Sequence, residues 1–234
     1  MIVPDGHQAD YLPLMTNNNL TEYYAKRALE YDNNYNRPER QNDIKSLSGL
    51  LTNLLKRKSV LEVACGTGFW TQFYAPETDS ITAVDYNEEV LAIAKDRLKQ
   101  FTHTSFCQSD AYLLNNFSGS FDAGIANFWW SHVELDKLNQ FLKCFHPKLL
   151  PQSLVVFTDS KYVHGSSTPI CRKDQKGNTY QNRKLENGDS YEVLKNFPSK
   201  AQFETIVKDF TDQVHFNEFE FFWCGYYQLG GLKK

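Results

Sequence analysis

The chain has 234 residues, 41% of them hydrophobic and 23% charged, with 12 Gly and 8 Pro. That is enough apolar material for one large α/β domain or two small ones, and it excludes a mainly disordered or fibrous chain. Lys and Arg number 25 against 28 Asp and Glu, a net charge of -3, a balance that argues against a nucleic-acid binder relying on phosphate contacts.

Residues 1–20 are polar and Asn-rich and are read as a flexible arm. From Thr21 the positions Tyr23, Tyr24, Arg27, Ala28 and Tyr31 recur at helical spacing, and 40–56 predicts a second helix, apolar at Ile44, Leu47, Leu50, Leu51, Leu54 and Leu55. Strands follow at 59–64, 80–85, 104–108, 121–127 and 153–159. Between them lie a glycine turn with a short helix before Pro76, a helix capped by Asn87, and a helix over 134–145. Strands alternating with helices predict a parallel sheet covered on both faces. After Ser160 the alternation stops. Residues 161–178 read as a polar loop, 179–196 as a β-hairpin turning at Asn187-Gly188, 199–209 as a helix, and 214–228 as two strands that finish the sheet. The reading is therefore a single domain over 21–234, with a helical cap at 21–56 and an insertion at 161–197.

Five cysteines, at 65, 107, 144, 171 and 224, show no C-x-x-C spacing, and the six histidines form no H-x-x-x-H pair. No metal is expected, and the cysteine pattern fits a reducing compartment. The first thirty residues do not resemble a signal peptide and no stretch is long and apolar enough to span a bilayer, so the location expected is cytoplasmic, without a membrane partner. Aromatics make up 15% of the chain, which fits a pocket for a flat or apolar ligand as well as a packed core.

The chemistry concentrates in Leu61-Glu62-Val63-Ala64-Cys65-Gly66-Thr67-Gly68, a strand that ends in an acid and turns through small residues into a helix. Small residues let a ligand approach the backbone, and the helix start offers free N–H groups. Asp85, at the end of the next strand, is placed to take a ribose hydroxyl pair. A dinucleotide site wants G-x-G-x-x-G, whereas Thr71 stands where the third glycine would be, and Glu62 would repel a pyrophosphate. A nucleoside bearing an amino acid suits the pattern better.

Glu62–Gly68 resembles motif I of the class I S-adenosylmethionine-dependent methyltransferases, with Ala64 in place of the first glycine. The likeness runs in order over residues 21–229, and Tyr23-Tyr24, Arg27-Ala28, Phe128–Val133 and Arg183–Pro198 resemble a bacterial small-molecule subgroup. It implies a Rossmann-like sheet of seven mostly parallel strands between helices. It also implies S-adenosylmethionine as cofactor, S-adenosylhomocysteine as product, and methyl transfer to O or N of a small molecule, for which the aromatic content suggests an apolar or aromatic metabolite. The residues it assigns to the cofactor are Tyr24, Arg27, Glu62, Ala64, Cys65, Gly66, Thr67, Gly68, Asp85, Tyr86, Asp110, Ala111, Asn127 and Phe128. Trp129, Trp130, Tyr180 and Arg183 are expected at the substrate.

His132, after the fourth strand, is the candidate general base for a hydroxyl or amine acceptor; the other reading is a histidine packed at a helix start. The hairpin is either a lid over the substrate or a homodimer contact. Two further readings stay open, a methyltransferase of RNA or protein and a non-catalytic cofactor-binding module. The first is disfavoured by the charge and by Asn127-Phe128-Trp129-Trp130, where amino-group methylases of nucleic acids and proteins carry N-P-P-Y or D-P-P-Y.

Overall fold

The computed structural model describes residues 18–115, 117 and 119–230. Its helices are α1 (Asn18–Lys26), α2 (Gln41–Leu55), α3 (Thr71–Tyr74), α4 (Glu88–Arg97), α5 (Leu138–Phe145) and α6 (Lys200–Val207). The strands are β1 (Ser59–Val63), β2 (Ser80–Asp85), β3 (Thr104–Gln108), β4 (Phe121–Asn127), β5 (Leu149–Ser160), β6 (Ile170–Lys173), β7 (Thr179–Lys184), β8 (Ser190–Leu194), β9 (Val214–Glu218) and β10 (Phe222–Gln228).

Seven strands form the main sheet in the order β3-β2-β1-β4-β5-β10-β9. The first five in chain order are parallel, while β10 runs antiparallel to both β5 and β9. The chain reverses its direction of travel across the sheet between β1 and β4. At such a switch point the loops leaving the strand ends diverge and open a crevice. This is the Rossmann-like arrangement expected from the sequence.

Alternate residues of each strand enter two cores, as the two-residue period of a strand requires. Val60, Ile81, Ala83, Ile125 and Val156 face α2, α3 and α4. Leu61, Val63, Val84, Val155 and Phe157 face α5 and α6. Helix α2 is held by Leu47, Leu51 and Leu55, all fully buried; each contributes about 2 kcal/mol from apolar burial.

The sequence reading needs correction at several edges. Helix α1 begins at Asn18, inside the expected arm, and residues 1–17 lie outside the described residues. It gives way after Lys26 to a 3-10 segment, Ala28–Asn34, rather than continuing as α-helix. The side chain of Asn87 makes no capping hydrogen bond at α4. Its backbone N–H instead donates to Asp85 Oδ1 at 2.9 Å, a local turn ahead of the helix. The segment read as a loop over 161–178 holds β6, which joins β7 and β8 in a separate three-stranded sheet. That edge strand is exposed throughout, so no burial alternation marked it in the sequence.

The small sheet folds back over the N-terminal cap. Tyr23 packs with Leu185 and Val193, Lys26 Nζ donates to Tyr191 Oη at 2.9 Å, and the Glu186 N–H donates to Glu30. Asn196 ties the end of the insertion to the segment after β4, its N–H donating to the Ser131 carbonyl at 2.8 Å. No helix of the described residues is long and apolar enough to cross a membrane.

Candidate functional site

A cleft of about 720 Å³ opens where the strand ends diverge, a volume suited to a nucleoside-sized ligand. The turn after β1 forms its floor. Ala64, Gly66 and Gly68 have φ of 57°, 56° and 71°, left-handed values that cost an alanine about 1 kcal/mol and a glycine nothing. Small residues are needed here for the backbone path, and they leave it bare. The two glycines differ in purpose. A Cβ on Gly66 would point into the cleft and meet only Tyr31 Cε1 at 3.9 Å, whereas one on Gly68 would sit 3.0 Å from Leu98 and 3.3 Å from Ala94. Gly66 keeps the cleft open and Gly68 lets α4 close against the turn.

Asp85 stands beside this floor. Its Oδ2 accepts from Gly66 N–H at 2.8 Å and its Oδ1 from Asn87 N–H at 2.9 Å. Burial raises its pKa, against the pull of these backbone donors. The carboxylate is therefore fixed in orientation, with lone pairs left for a ligand.

The structure brings Tyr24, Ala64, Gly66, Asp85, Tyr86 and Ala111 to the cleft, with Asn127, Phe128, Trp129 and His132 across from them. Phe128, at φ 56°, is a second left-handed non-glycine residue, at the end of β4. Of the left-handed non-glycine residues Arg57, Ala64, Phe128 and Gln152, Ala64 and Phe128 line the cleft.

Several expected contacts lie elsewhere. Glu62 is fully buried below the turn, accepting from Thr71 Oγ1 at 2.8 Å and from Asn127 Nδ2 at 3.0 Å. Burial pushes its carboxyl up to about 7 even though Thr71, Tyr74 and Asn127 donate to it. It joins β1, β4 and α3 from below instead of facing a ligand. Asn127 spends its amide in the same network, its Oδ1 accepting from Thr158 at 2.8 Å. Cys65 is buried in the core on the α2 face. Thr67 is a latch: its hydroxyl donates to Asp32 at 2.8 Å, and Arg97 pairs with that carboxylate while donating to the Thr67 carbonyl. Asp110 turns its carboxylate to the N–H of Tyr112 at 2.8 Å, so that Ser109 and Ala111 line the cleft in its place. Trp130 is 1% exposed and packs on Phe157, Phe203 and Trp223, a core residue. Tyr180 lies on the small sheet under Arg172, bonded to Asp174.

Tyr24 Oη lies 2.7 Å from His132 Nε2, and His132 Nδ1 lies 2.8 Å from the Leu194 carbonyl. A carbonyl only accepts, so the ring proton sits on Nδ1 and Nε2 accepts from the tyrosine. Burial, with Lys195 and Arg183 nearby, holds the His132 pKa well below its ordinary value. Burial also pushes Tyr24 up to about 12. The pair is a neutral, aligned donor–acceptor couple at the cleft wall.

Beyond it a throat of about 380 Å³ shares Tyr24, Tyr31, Phe128 and His132 with the cleft, and reaches Arg27, Arg183 and Lys195. Arg27 thus lies one step farther from the glycine turn than the sequence suggested, and Arg183, expected at the substrate, lines the throat, its Nη1 donating to Tyr24 Oη at 3.4 Å. Sequence reasoning missed Tyr31, Asn87, Val90 and Ser109 as lining residues. Asn87 and Val90 were legible only as the start of a helix, and Tyr31 only as one of several aromatics on the cap.

Residues 60–152 match the family model described as a methyltransferase domain. A malonyl-[acyl-carrier protein] O-methyltransferase of Bacillus cereus is 29% identical over 185 residues, covering 74% of this chain and 64% of that protein. A putative methyltransferase, YqeM, of Bacillus subtilis is 31% identical over 117 residues, covering 49% of this chain and 45% of its own. The chain thus spans less than two thirds of the length of either curated relative. Among solved structures, a DhpI complex with SAH superposes with a TM-score of 0.73 at 24% identity, covering 91% of this chain and 96% of that one. The PH0226 protein of Pyrococcus horikoshii gives 0.69 at 23%, covering 89% and 98%. Likeness at that level of identity speaks to the fold alone.

Proposed function

We propose, from the match of residues 60–152 to a methyltransferase-domain family model, that the chain transfers the methyl group of S-adenosylmethionine to an oxygen or nitrogen of a small molecule. The observation that carries this reading is the orientation of Asp85. Its carboxylate is held by the Gly66 and Asn87 N–H groups at the lip of a cleft whose floor is the bare turn at Ala64–Gly68. The cofactor fits the residues present. Asp85 would take the ribose hydroxyls, Gly66 would let the amino-acid part pass over the backbone, and Ser109 and Ala111 would flank the base. Bound there, the cofactor supplies an electrophilic methyl carbon.

The residues of this chain would do the rest. Tyr24 and His132 stand between cleft and throat, where an acceptor atom has to lie. An acceptor hydroxyl or amine donating to Tyr24 Oη would find that oxygen's own proton already directed at His132 Nε2. The general-base role proposed for His132 is thus exercised through the tyrosine. Holding the acceptor about 3 Å from the methyl carbon supplies much of the acceleration. The small sheet, packed on α1 and tied to Ser131 through Asn196, supports the lid reading of the insertion, since its inner face is already occupied within the chain.

The test is calorimetric titration of S-adenosylhomocysteine into the wild-type chain and into Asp85→Ala, with a nicotinamide dinucleotide as control. Micromolar binding that is lost in the variant, with no dinucleotide binding, is expected. Absence of binding to the wild type would remove the reading.

A further inference from the structure

Beyond the throat lies a second chamber, about 1010 Å³ and open to solvent, whose lining includes Arg27, Arg37, Arg40, Arg183 and Lys195. The whole chain has seven arginines and a net charge of -3, so four of the seven converge on one wall of an otherwise acidic molecule. Their hydrogen-bond partners are neutral. Arg37 donates to the Ser166 carbonyl, Arg40 to the Asn34 carbonyl, and Arg183 to Gln181 Oε1 and Tyr24 Oη. Arg27 lies over the rings of Tyr23 and Tyr31. The ion pairs among the described residues involve none of these four.

Elsewhere the chain neutralises its buried cations. Arg97 has Asp32, and Lys195, at the inner end of this chamber, has the fully buried Asp159. Arg40 shows what is missing at the chamber: burial and the neighbouring Arg37 pull its pKa down, with only Glu39 and Tyr35 acting against them. Glu30, also in the lining, is engaged by the Glu186 N–H. Guanidinium groups brought together with no carboxylate paired to them repel one another, and planar, multidentate recognition of an oxyanion is what relieves it.

We propose that this chamber is the acceptor subsite and that the methyl acceptor is a small anionic molecule. Its carboxylate or phosphoryl group is held by Arg27 and Arg183, with the atom to be methylated directed through the throat toward Tyr24 and His132. The inference rests on the methyltransferase reading and gives its substrate a charge. It replaces the apolar or aromatic acceptor expected from composition, because Tyr23, under Arg27 and Arg183, and Tyr31, under Arg27, give their ring faces to guanidinium groups instead of forming an apolar pocket.

The experiment uses the full chain saturated with S-adenosylhomocysteine. Succinate and glycerol 2-phosphate are titrated calorimetrically beside their uncharged counterparts, dimethyl succinate and glycerol. One of the two anions is expected to bind while its neutral counterpart does not, and which one binds separates a carboxylate from a phosphoryl acceptor. Arg27→Gln and Arg183→Gln are each expected to weaken that anion about tenfold or more, the loss of a charge-assisted hydrogen bond. S-adenosylhomocysteine affinity should stay at the wild-type value, which certifies the fold. Lys143→Gln, an exposed position on α5, should change nothing. Neither anion binding better than its neutral counterpart, or both arginine variants binding as wild type, would overturn the proposal. So would salt-sensitive binding of a short oligoribonucleotide with neither small anion, which would point to a nucleic-acid acceptor. Loss of S-adenosylhomocysteine binding in the wild type would instead refute the cofactor reading, and the same anion titration on the unsaturated chain would still decide the chamber.

Discussion

Replacing Glu62 by Gln tests whether the acid of the glycine-turn motif is a buried structural group. Its side chain is fully buried, accepts from Thr71 Oγ1 and Asn127 Nδ2, and has its pKa raised by burial from 4.5 to about 7. A carboxyl with a raised folded-state pKa holds its proton more tightly in the folded chain. Its stabilising contribution is therefore complete below the unfolded pKa and is lost as pH rises through the folded one. The gap between the two values corresponds to about 3 kcal/mol at about 1.4 kcal/mol per pH unit. Glutamine has no titration to lose. The stability of wild type minus that of Glu62→Gln should therefore fall by about 3 kcal/mol between about pH 5 and about pH 8, with the steep part below about pH 7. Urea unfolding followed by tryptophan fluorescence on both proteins at matched pH values reads this directly, because all other titrations cancel in the difference. A flat difference, or one that rises with pH, would refute the account and return Glu62 to the ligand side of the turn.

Lys195→Met should cost about 3 kcal/mol, because it strands the buried Asp159 carboxylate; Asp159 then keeps only the Ser131 and Ser160 N–H donors. Adding Asp159→Asn should recover part of that loss in chemical denaturation, and strictly additive costs would contradict a coupled pair. At Gly225 a Cβ would lie 2.6 to 3.0 Å from the Phe203 ring, itself buried among Trp130, Trp223 and Phe216. Gly225→Ala should accordingly lower stability by about 2 kcal/mol in thermal unfolding, and an unchanged melting temperature would mean that the ring can yield. His132 should remain the neutral Nδ1–H tautomer from about pH 8 down to about pH 6, since burial and the cations Lys195 and Arg183 oppose its protonation. Nitrogen-15 NMR that found an imidazolium at the lower pH would contradict this.

The sheet was legible because each of its signals is local. Val60 and Leu61, Val63 and Val84, and the acid-to-glycine turn at Glu62–Gly68 need no knowledge of the rest of the chain to announce strand, switch and helix. Asp85 was legible for the same reason: the end of a strand is a position that sequence fixes. Glu62, Asn127 and Thr67 were read toward a ligand because a polar residue beside a glycine turn can face either way. What turns each inward is a partner distant in sequence. Thr67 meets Asp32 and Arg97, and Asn127 meets Glu62 and Thr158. β6 escaped notice because an exposed edge strand needs no apolar alternation.

The chamber was invisible for a stronger reason. Arg27, Arg37 and Arg40 come from the cap, Arg183 from β7 and Lys195 from the chain just after β8, and along the sequence each is an isolated cation in a chain of balanced charge. Only the folding of the small sheet over α1 makes them neighbours. The same contacts that hold the small sheet on α1, Tyr23 on Leu185 and Val193 with Lys26 on Tyr191, bring Arg183 within reach of Tyr24. On the proposed readings, lid and anion seat would be one device. If the seat is filled by an oxyanion, the repulsion among the arginines that line it is relieved and the closed form gains stability. An acceptor of that class would thus complete the wall of its own site. Protection of β7 and β8 amides against hydrogen exchange should then rise when the anion that binds is added to the S-adenosylhomocysteine complex. Exchange at β7 and β8 unchanged by that anion would separate the seat from the lid, and would leave Arg183 as the cap's packing partner alone.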